Sequence, residues 1–389
     1  MAFDFKKLQK LLAQYKVYNA WQYVESLNEY LTYMAASYKL AEKVYENRVS
    51  SLSERSQSLL QKAITTGTVN VTDEDLDCTR ITVAGLEIDD ELYLKKSTLE
   101  FFHYAKISID ILFQIINAAL LGDKGLDDMD RGLVPNVNKE LGRTTVFTTL
   151  KEKLDANKAN DTFQYLRSFD NYNKHIKTIL ISVKNSFIFG NQNEFIIKGF
   201  RYSDGKVTHE YPDCDALLKI KEVYDYVLQT TKDIVEETER QLPNCLDNRS
   251  RIQDIKYKIQ FKETKNGAIP DYISFFIEVN SSLNELPNEI RILPLIVKPN
   301  DEVCSFNFQF DTIFIRLKGG DEATIIGCAK KKNPIESNEF YKTFLVTPCE
   351  QEEYIKYLAS FKKTFTGNIT IKPDAMEGTM LFYNDKNIV

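Results

Sequence analysis

The sequence predicts an α+β protein, in which an N-terminal all-α bundle is followed by a β-rich C-terminal domain. Residues 5 to about 65 contain no glycine or proline and repeat large apolar residues at helical spacing. Beyond residue 250, short runs of β-branched and aromatic residues alternate with turn residues, which is typical of strands. At 389 residues the chain is too long for one ordinary core, so we expect two or three domains.

The composition indicates a packed, soluble protein. Hydrophobic residues make up 43% of the chain and charged residues 27%. The net charge of −6 argues against a protein that coats nucleic acid non-specifically, because phosphate neutralisation requires a concentrated Lys/Arg surface. This net charge is still compatible with a local cluster of basic residues.

Cysteine usage and hydropathy argue against a metalloprotein, a secreted protein and a membrane protein. The six cysteines are scattered without a Cys-x-x-Cys pair and there are only three histidines, so we expect reduced thiols, no structural metal site and no cofactor. The Lys-rich N-terminus does not resemble a signal peptide. Polar residues interrupt the most apolar run, Ile107 to Leu121, which favours a buried helix over a membrane span. We therefore expect a cytoplasmic protein without a membrane partner.

The first domain, residues 1–66, is predicted to be a long-helix hairpin. Its two antiparallel helices would join near Asn47–Ser53 or slightly earlier. Tyrosines recur at positions 23, 30, 38 and 45, and this row is better explained by helix–helix packing than by stacking against a ligand.

The second domain, residues 67–242, is predicted to be mainly helical. A short strand at Ile81–Gly85 precedes one long helix, Leu92–Leu121, whose start carries acidic residues. The acidic loop Gly122–Pro135 contains Asp127-Asp-Met-Asp, and its carboxylates could bind a divalent cation. Because the spacing does not match an EF-hand, a solvated loop is favoured.

The rest of this domain combines three helices with an inserted β-hairpin. The helices are predicted at Thr145–Leu154, Asn160–Ser186 and Asp213–Arg240. Between the last two, residues 194–211 alternate in polarity around Asp204-Gly205, which is a strong signal for a two-residue hairpin turn.

The C-terminal domain, residues 250–389, follows a polar linker at Pro243–Ser250 and is predicted to be α+β with mostly strands. We expect a helix near Gln351–Phe361. The predicted strands are Ile255–Phe261, Tyr272–Val279, Ile290–Val297, Cys304–Leu317, Ala323–Ala329, Asn368–Ile371 and Thr379–Phe382.

One helical segment carries the residues best suited to chemistry. Arg167, Asn171 and His175 are spaced i, i+4 and i+8, so successive members rotate by about 40° and form one stripe. Asp170 and Lys174 form the neighbouring row. A guanidinium, an amide and an imidazole together suit the handling of a phosphodiester, because they can stabilise charge, orient groups and shuttle a proton.

The charge distribution supports a localised contact with RNA or a nucleotide. Residues 162–206 contain seven Lys/Arg, including Lys177, against three acids, in a chain whose total charge is −6. The stripe therefore lies in a locally basic region of an acidic protein.

The run Asp170-Asn-Tyr-Asn-Lys-His175 resembles the HEPN superfamily of small all-α bundles, in a divergent Asn-x-x-Lys-His form. The resemblance covers about residues 90–240 and identifies 67–242 as a HEPN-like domain. It implies RNA targeting, and for active members a metal-independent endoribonuclease in which Arg/His pairs meet across a dimer. The sequence departs from the pattern where Asp170 occupies the position of the family arginine and Arg167 lies one turn earlier.

We therefore expect an RNA-targeting protein of toxin or antiphage defence, acting as a homodimer or with a partner protein of such a system. Arg167, Asn171 and His175 would be catalytic, and Asp170, Lys174 and Lys177 would bind the substrate. The alternative is a non-enzymatic binding or scaffold protein in which the motif is a structural relic. A β domain that binds a small ligand or peptide is a third reading without a residue signature.

The other two histidines give weaker signals. His103 lies in Phe101-Phe-His-Tyr and is expected to be a core histidine, although it could face the site from the neighbouring helix. His209 lies on a hairpin strand and is expected to face solvent.

Overall fold

The fold was analysed in a computed structural model. The structure describes residues 4–15, 17, 20–68, 70, 72, 80–126, 132–185, 193–205, 207–246, 252–263, 271–280, 288–297, 303–305, 310–317, 325–332, 342–364 and 370–383. The fold is α+β, as predicted. The chain forms two compact units: residues 1–8 with 20–246, and residues 9–19 with 247–389. The division after Leu246 falls within the linker that the sequence indicated at 243–250.

Helices dominate the first unit. A short helix, α1 (Lys6–Gln14), comes first in the chain. The other α-helices among the described residues of this unit are α2 (Trp21–Thr66), α3 (Asp90–Ile116), α4 (Leu133–Leu141), α5 (Thr148–Ala159), α6 (Asp161–His175) and α7 (Ala216–Gln241). Short π or 3-10 turns lie at Asn117–Leu121, Gly122–Lys124, Thr145–Phe147 and Leu242–Asn244.

The predicted helical hairpin over residues 1–66 is wrong, because α2 is a single helix of 46 residues. The proposed turn at Asn47–Ser53 is polar but contains no glycine or proline, and polarity alone does not end a helix. The helix ends at Gly67, whose left-handed conformation (φ 75°) lets its N–H donate to the carbonyl of Ala63. Helix α2 therefore runs unbroken through the predicted turn.

Helix α3 is the core helix that the sequence predicted. The side chain of Asp89 caps it by accepting a hydrogen bond from the N–H of Leu92. Together with the π turn, residues Asp90–Leu121 are long and apolar enough for a membrane span by length and composition, yet 67% of their most apolar window is buried inside the protein. This burial agrees with the core helix of a soluble protein.

Helix α6 begins where predicted but ends eleven residues earlier, at His175 rather than Ser186. The chain turns after it because the side chain of Asn173 donates to the carbonyl of Phe169 and accepts from the N–H of Ile179. The β-branched run that follows forms strand β3, Ile181–Asn185. The prediction extended the helix through a segment that prefers an extended backbone.

Seven strands lie in the first unit among the described residues: β1 (Arg80–Val83), β2 (Leu86–Asp89), β3, β4 (Asn193–Ile197), β5 (Phe200–Ser203), β6 (Thr208–Tyr211) and β7 (Cys214–Asp215). Strands β1 and β2 pair with each other, β4 lies between β3 and β7, and β5 pairs with β6. The β5–β6 hairpin forms where predicted, but its turn differs: Ser203 pairs with Thr208, so the connection is longer than the two-residue turn predicted at Asp204–Gly205. Gly205 has a positive φ of 90°, whereas Asp204 lacks the positive φ that such a two-residue turn requires.

The predicted hairpin strand from Glu194 onwards is interrupted at Lys198–Gly199, so β4 pairs with β3 and only β5 forms the hairpin. A Cβ atom at Gly199 would lie 2.7 Å from the carbonyl oxygen of Tyr211. This close approach explains why glycine occupies the break.

From residue 247 onwards, the described part of the second unit contains one curled sheet and one helix, α8 (Gln351–Thr364). The strands are β8 (Ile252–Glu263), β9 (Asp271–Val279), β10 (Glu289–Val297), β11 (Val303–Ser305), β12 (Thr312–Leu317), β13 (Ile325–Lys331), β14 (Lys342–Pro348) and β15 (Thr370–Tyr383). Their order is β11-β10-β14-β13-β12-β9-β8-β15, and β15 also pairs with β10, so the sheet closes on itself. Among these described strands, only β9 and β12 pair in parallel.

Three details of this unit differ from the prediction. The segment Cys304–Leu317 contains two strands, β11 and β12, rather than one. Strand β14 was not predicted. The two predicted C-terminal strands are one long strand, β15, whose pairing with β8 shifts register between Lys372 and Met376. Such an irregularity lets one strand continue through a segment with a weak strand pattern.

The core of the second unit contains a buried ion pair. Arg316 on β12 lies directly opposite Glu278 on β9 in the parallel register, and its Nη2 atom is 3.1 Å from Oε1 of Glu278. Both side chains are almost inaccessible, and the Arg316 guanidinium lies 5.2 Å from the ring centre of Phe276. This pair is sealed within the sheet.

Candidate functional site

The most distinctive polar group of the first unit lies between α3 and α6. Oδ1 of Asp170, on α6, is 3.1 Å from Nδ1 of His103 on α3, and its Oδ2 accepts a hydrogen bond of 2.7 Å from Nζ of Lys174. Asp170 is only 5% exposed, whereas the side chains of His103 and Lys174 are 44% and 42% exposed. A buried carboxylate thus holds two cationic or basic groups at the surface.

The orientation of Asp170 follows from the helical row that faces α3. Relative to Asp170, the side chains of Arg167, Asn171 and His175 lie about 60°, 100° and 140° around the helix axis. The predicted stripe therefore turns progressively away from α3. His175, at the last residue of the helix, is exposed, and its Cα is about 12 Å along the axis from that of Arg167.

The predicted site residues do not form one site in the structure. Arg167 forms an ion pair of 3.2 Å with Asp204 on the β5–β6 hairpin. Within the described part of the chain, the side chains of Asn171, His175 and Lys177 have no hydrogen-bond or ion-pair partner. Only Asp170 and Lys174 of the predicted set meet, and they do so with His103 rather than with His175.

An aromatic cluster holds α6 in place beside α3 and the hairpin. The ring centres of Phe102 and Phe169 are 4.1 Å apart, and Phe200 and Tyr211 of the hairpin pack against Tyr165. The hydroxyl groups of Tyr211 and Ser168 are 3.0 Å apart. Burial raises the pKa of Tyr165 and of Tyr211, so both hydroxyls remain neutral. The cluster fixes the backbone that carries Asp170.

The pairing of His103 with Asp170 defines the chemistry available. An ionised carboxylate only accepts hydrogen bonds, so we assign the proton to Nδ1 of His103. The opposite ring nitrogen, Nε2, is then a base on a half-exposed side chain. A carboxylate that orients an imidazole in this way is a recurrent arrangement for proton transfer. Lys174 adds a positive charge to the same carboxylate.

Sequence reasoning gave His103 only a secondary place, as a core histidine that could face the site. A usable signal was present: His103, Lys106 and Asp110 are spaced i, i+3 and i+7 in the mainly apolar second half of the helix. Lys106 and Asp110 indeed form an ion pair there. Such a polar row marks a helix face that is not fully covered. His209 is partly exposed and lies parallel to Tyr211, with ring centres 6.2 Å apart.

Metal ligands and thiols add no second site in the described ranges. There, no group of three or more His, Cys, Asp or Glu side chains is arranged to hold a metal ion. The acidic stretch Asp127–Asp130, whose carboxylates are candidates for binding a divalent cation, lies outside the described residues. Cys214, Cys245, Cys328 and Cys349 are free thiols.

Comparison with known proteins reaches only the second unit. A family model described as a domain of unknown function, DUF8310, matches residues 253–386. No curated protein and no solved structure shows detectable similarity to the chain. The match covers the closed sheet and α8 and does not extend to the His103–Asp170–Lys174 group.

Proposed function

We propose that the first unit is a HEPN-like, RNA-targeting module that cleaves RNA without a metal ion, with His103 as the general base. The observation that carries this proposal is the buried carboxylate of Asp170, which lies 3.1 Å from Nδ1 of His103 while that side chain remains 44% exposed. The motif resemblance around Asn171 and His175 and the local basic charge support RNA as the substrate.

The reaction is an internal transesterification. Nε2 of His103 takes the proton of a ribose 2′-hydroxyl, whose oxygen attacks the adjacent phosphorus. The bond from phosphorus to O2′ forms and the bond to the 5′-oxygen breaks, and that oxygen takes a proton from water at the open side of the site. The products are a 2′,3′-cyclic phosphate and a 5′-hydroxyl. Lys174 lowers the barrier by stabilising the charge that develops on the phosphate.

The geometry favours His103 over His175 as the base. His175 is exposed and has no partner within the described part of the chain to fix its tautomer or orientation. An oriented imidazole is the better catalyst because its lone pair is already directed at one position. In this proposal Arg167, Asn171, His175 and Lys177 contact the RNA backbone instead.

A histidine scan tests the proposal directly, because the protein contains only three histidines. The purified full-length protein and its His103→Ala, His175→Ala and His209→Ala variants are incubated with mixed RNA in EDTA. We expect cleavage by the parent and by His209→Ala, and a loss of about 10²–10⁴-fold in His103→Ala. Added imidazole should partly restore cleavage by His103→Ala, which a purely structural histidine would not allow.

Two other outcomes would contradict the role proposed for His103. Cleavage that only His175→Ala loses would return the catalytic role to the predicted stripe. RNA binding without any cleavage would reduce the module to a binding protein.

The second candidate is the non-enzymatic scaffold, and one observation favours it. Asp170 and Arg167 both form ion pairs that link α6 to other elements, namely α3 and the β5–β6 hairpin. In this case the motif residues maintain the bundle, and His103→Ala would lower stability without changing any activity on RNA.

The setting proposed for either function is a cytoplasmic toxin or antiphage defence system, in which the protein acts as a homodimer or with a partner protein. Light scattering with and without RNA measures the oligomeric state. A monomer under all conditions would remove the dimer from the proposal.

A further inference from the structure

A cavity opens beside the His103–Asp170–Lys174 group, one helical turn further along α3. It has a volume of about 320 Å³ and lies among α3, α4, α5, α6 and α7. Ligand pockets begin at about 300 Å³, so the cavity fits a small molecule rather than a polymer segment.

The cavity wall is mainly apolar. Its aliphatic and aromatic lining includes Ile109, Phe113, Val134, Leu154, Phe163 and Ile234. The polar groups among its lining residues are largely paired within the protein: Oδ1 of Asn157 accepts from Oγ1 of Thr230, and Nδ2 of Asn138 donates to the carbonyl of Val134. The wall therefore favours an apolar ligand body that needs few hydrogen bonds.

The charges around the cavity are unbalanced by one. Lys106 is paired with Asp110 at 2.6 Å, and Arg167 with Asp204 at 3.2 Å. Lys158 also lines the cavity, is exposed, and has no side-chain partner among the described residues. A single unpaired ammonium suits one negative charge, whereas a polyphosphate would require several converging donors.

We propose that this cavity binds a small amphiphilic monoanion, with its apolar body among the cavity side chains and its carboxylate at Lys158. Burial of the body supplies most of the affinity, because the wall removes apolar surface from water. The exposed ammonium of Lys158 orients the ligand with its head group towards solvent. The inference does not depend on RNA cleavage and concerns a separate ligand.

Calorimetric titration of the full chain with decanoate, decanol and decyltrimethylammonium tests both parts of the inference. We expect decanoate to bind about tenfold more tightly than decanol, a difference of about 1.4 kcal/mol, and the cation to bind most weakly. Lys158→Gln should bring decanoate down to the affinity of decanol. Lys232→Gln, which removes an exposed lysine of α7 outside the cavity, should leave the preference unchanged.

A filling substitution locates the binding. Val134→Phe should weaken decanoate at least tenfold, whereas Val146→Phe, at a position that does not line the cavity and is 45% exposed, should bind as the parent does. Equal affinities for decanoate and decanol, no binding of either, or unchanged binding by Val134→Phe would each overturn the inference. The lysine variants decide the question if Val134→Phe does not fold, because they alter only exposed side chains.

Discussion

Two buried carboxylates, one in each unit, are similarly inaccessible but differ in the exposure of their partners. Asp170 is 5% exposed and Glu278 is 7% exposed. The partner of Glu278, Arg316, is itself buried at 2%, whereas the partners of Asp170 reach the surface at 44% and 42%. The partners of Asp170 in the first unit reach solvent, whereas the Glu278–Arg316 pair in the second unit is enclosed.

This difference separates a structural pair from one that can act on another molecule. A fully enclosed ion pair recovers its desolvation cost only through its own geometry, so removal of one partner leaves an uncompensated charge. Removal of a buried carboxylate whose partners are exposed lowers the free energy of unfolding by less, because water can solvate those partners. Such a carboxylate can also orient them towards a substrate. The comparison predicts a large stability effect in the second unit and a large functional effect in the first.

The largest stability effect is expected for Glu278→Ala. This change removes the Glu278 carboxylate from the buried Arg316 guanidinium and should lower the free energy of unfolding by about 3–5 kcal/mol. Urea denaturation followed by far-UV circular dichroism measures it. The Glu278→Leu/Arg316→Met double variant removes both charges and should recover most of the loss; a double variant as unstable as Glu278→Ala would contradict the account of a sealed pair.

Asp170→Ala should cost less stability but more function. The loss of two charge-assisted hydrogen bonds to exposed partners is expected to lower the free energy of unfolding by about 1–3 kcal/mol. Trp21, which is buried in the same unit, reports this by fluorescence. If the proposed mechanism holds, RNA cleavage falls by about 10²-fold or more. If Asp170→Ala lowered the free energy of unfolding as much as Glu278→Ala, the proposed difference between the two carboxylates would be wrong.

The Asp90–Arg48 pair between α3 and α2 gives a prediction for pH. Burial raises the pKa of the Asp90 carboxyl, although the contacting Arg48 guanidinium acts in the opposite direction. An acid with a raised folded pKa favours folding below its unfolded pKa and loses that contribution as pH rises through the folded value. The stability of the parent relative to Asp90→Asn should therefore increase as pH falls from 7 towards 4, as thermal unfolding can measure. A decrease over that range would reverse the assigned sign.

The smallest effect is expected at the Arg167–Asp204 pair. Its side chains are 35% and 28% exposed, and pairs of this kind contribute about 0–1 kcal/mol. Asp204→Asn should leave the thermal stability nearly unchanged. A cost comparable to that of Asp170→Ala would show that this ion pair holds the hairpin against α6.

The parts of the fold with strong local signals were predictable from sequence. The cap and apolar content of α3, the existence of the β5–β6 hairpin and most strands of the second unit rest on interactions between near neighbours. The end of α6 and the continuity of α2 were not predicted, because polar residues occur both in turns and on exposed helix faces. The single strand β15 depends on pairing with β8, more than a hundred residues away in the chain.

The candidate site was predicted only in part. Helical spacing correctly placed Asp170 and Lys174 in one row and Arg167, Asn171 and His175 in another. It could not tell which row faces α3, because that depends on where the aromatic residues Phe102 and Phe169 pack. The contact between His103 and Asp170 joins residues far apart in the sequence and follows from tertiary packing alone.

The pairing of β15 also sets the order in which the second unit can be completed during synthesis. Tyr383 pairs with Ile252, and β15 supplies the hydrogen bonds that join β8 to β10. Until β15 has left the ribosome, the curled sheet has two unpaired edges, and such edges are the usual starting points of misassembly. Residues 20–246 of the first unit are synthesised earlier, and their folding does not require the pairing of β15 with β8 and β10. A chain stalled before Thr370 would therefore expose the β-rich unit, rather than the helical one, to chaperones.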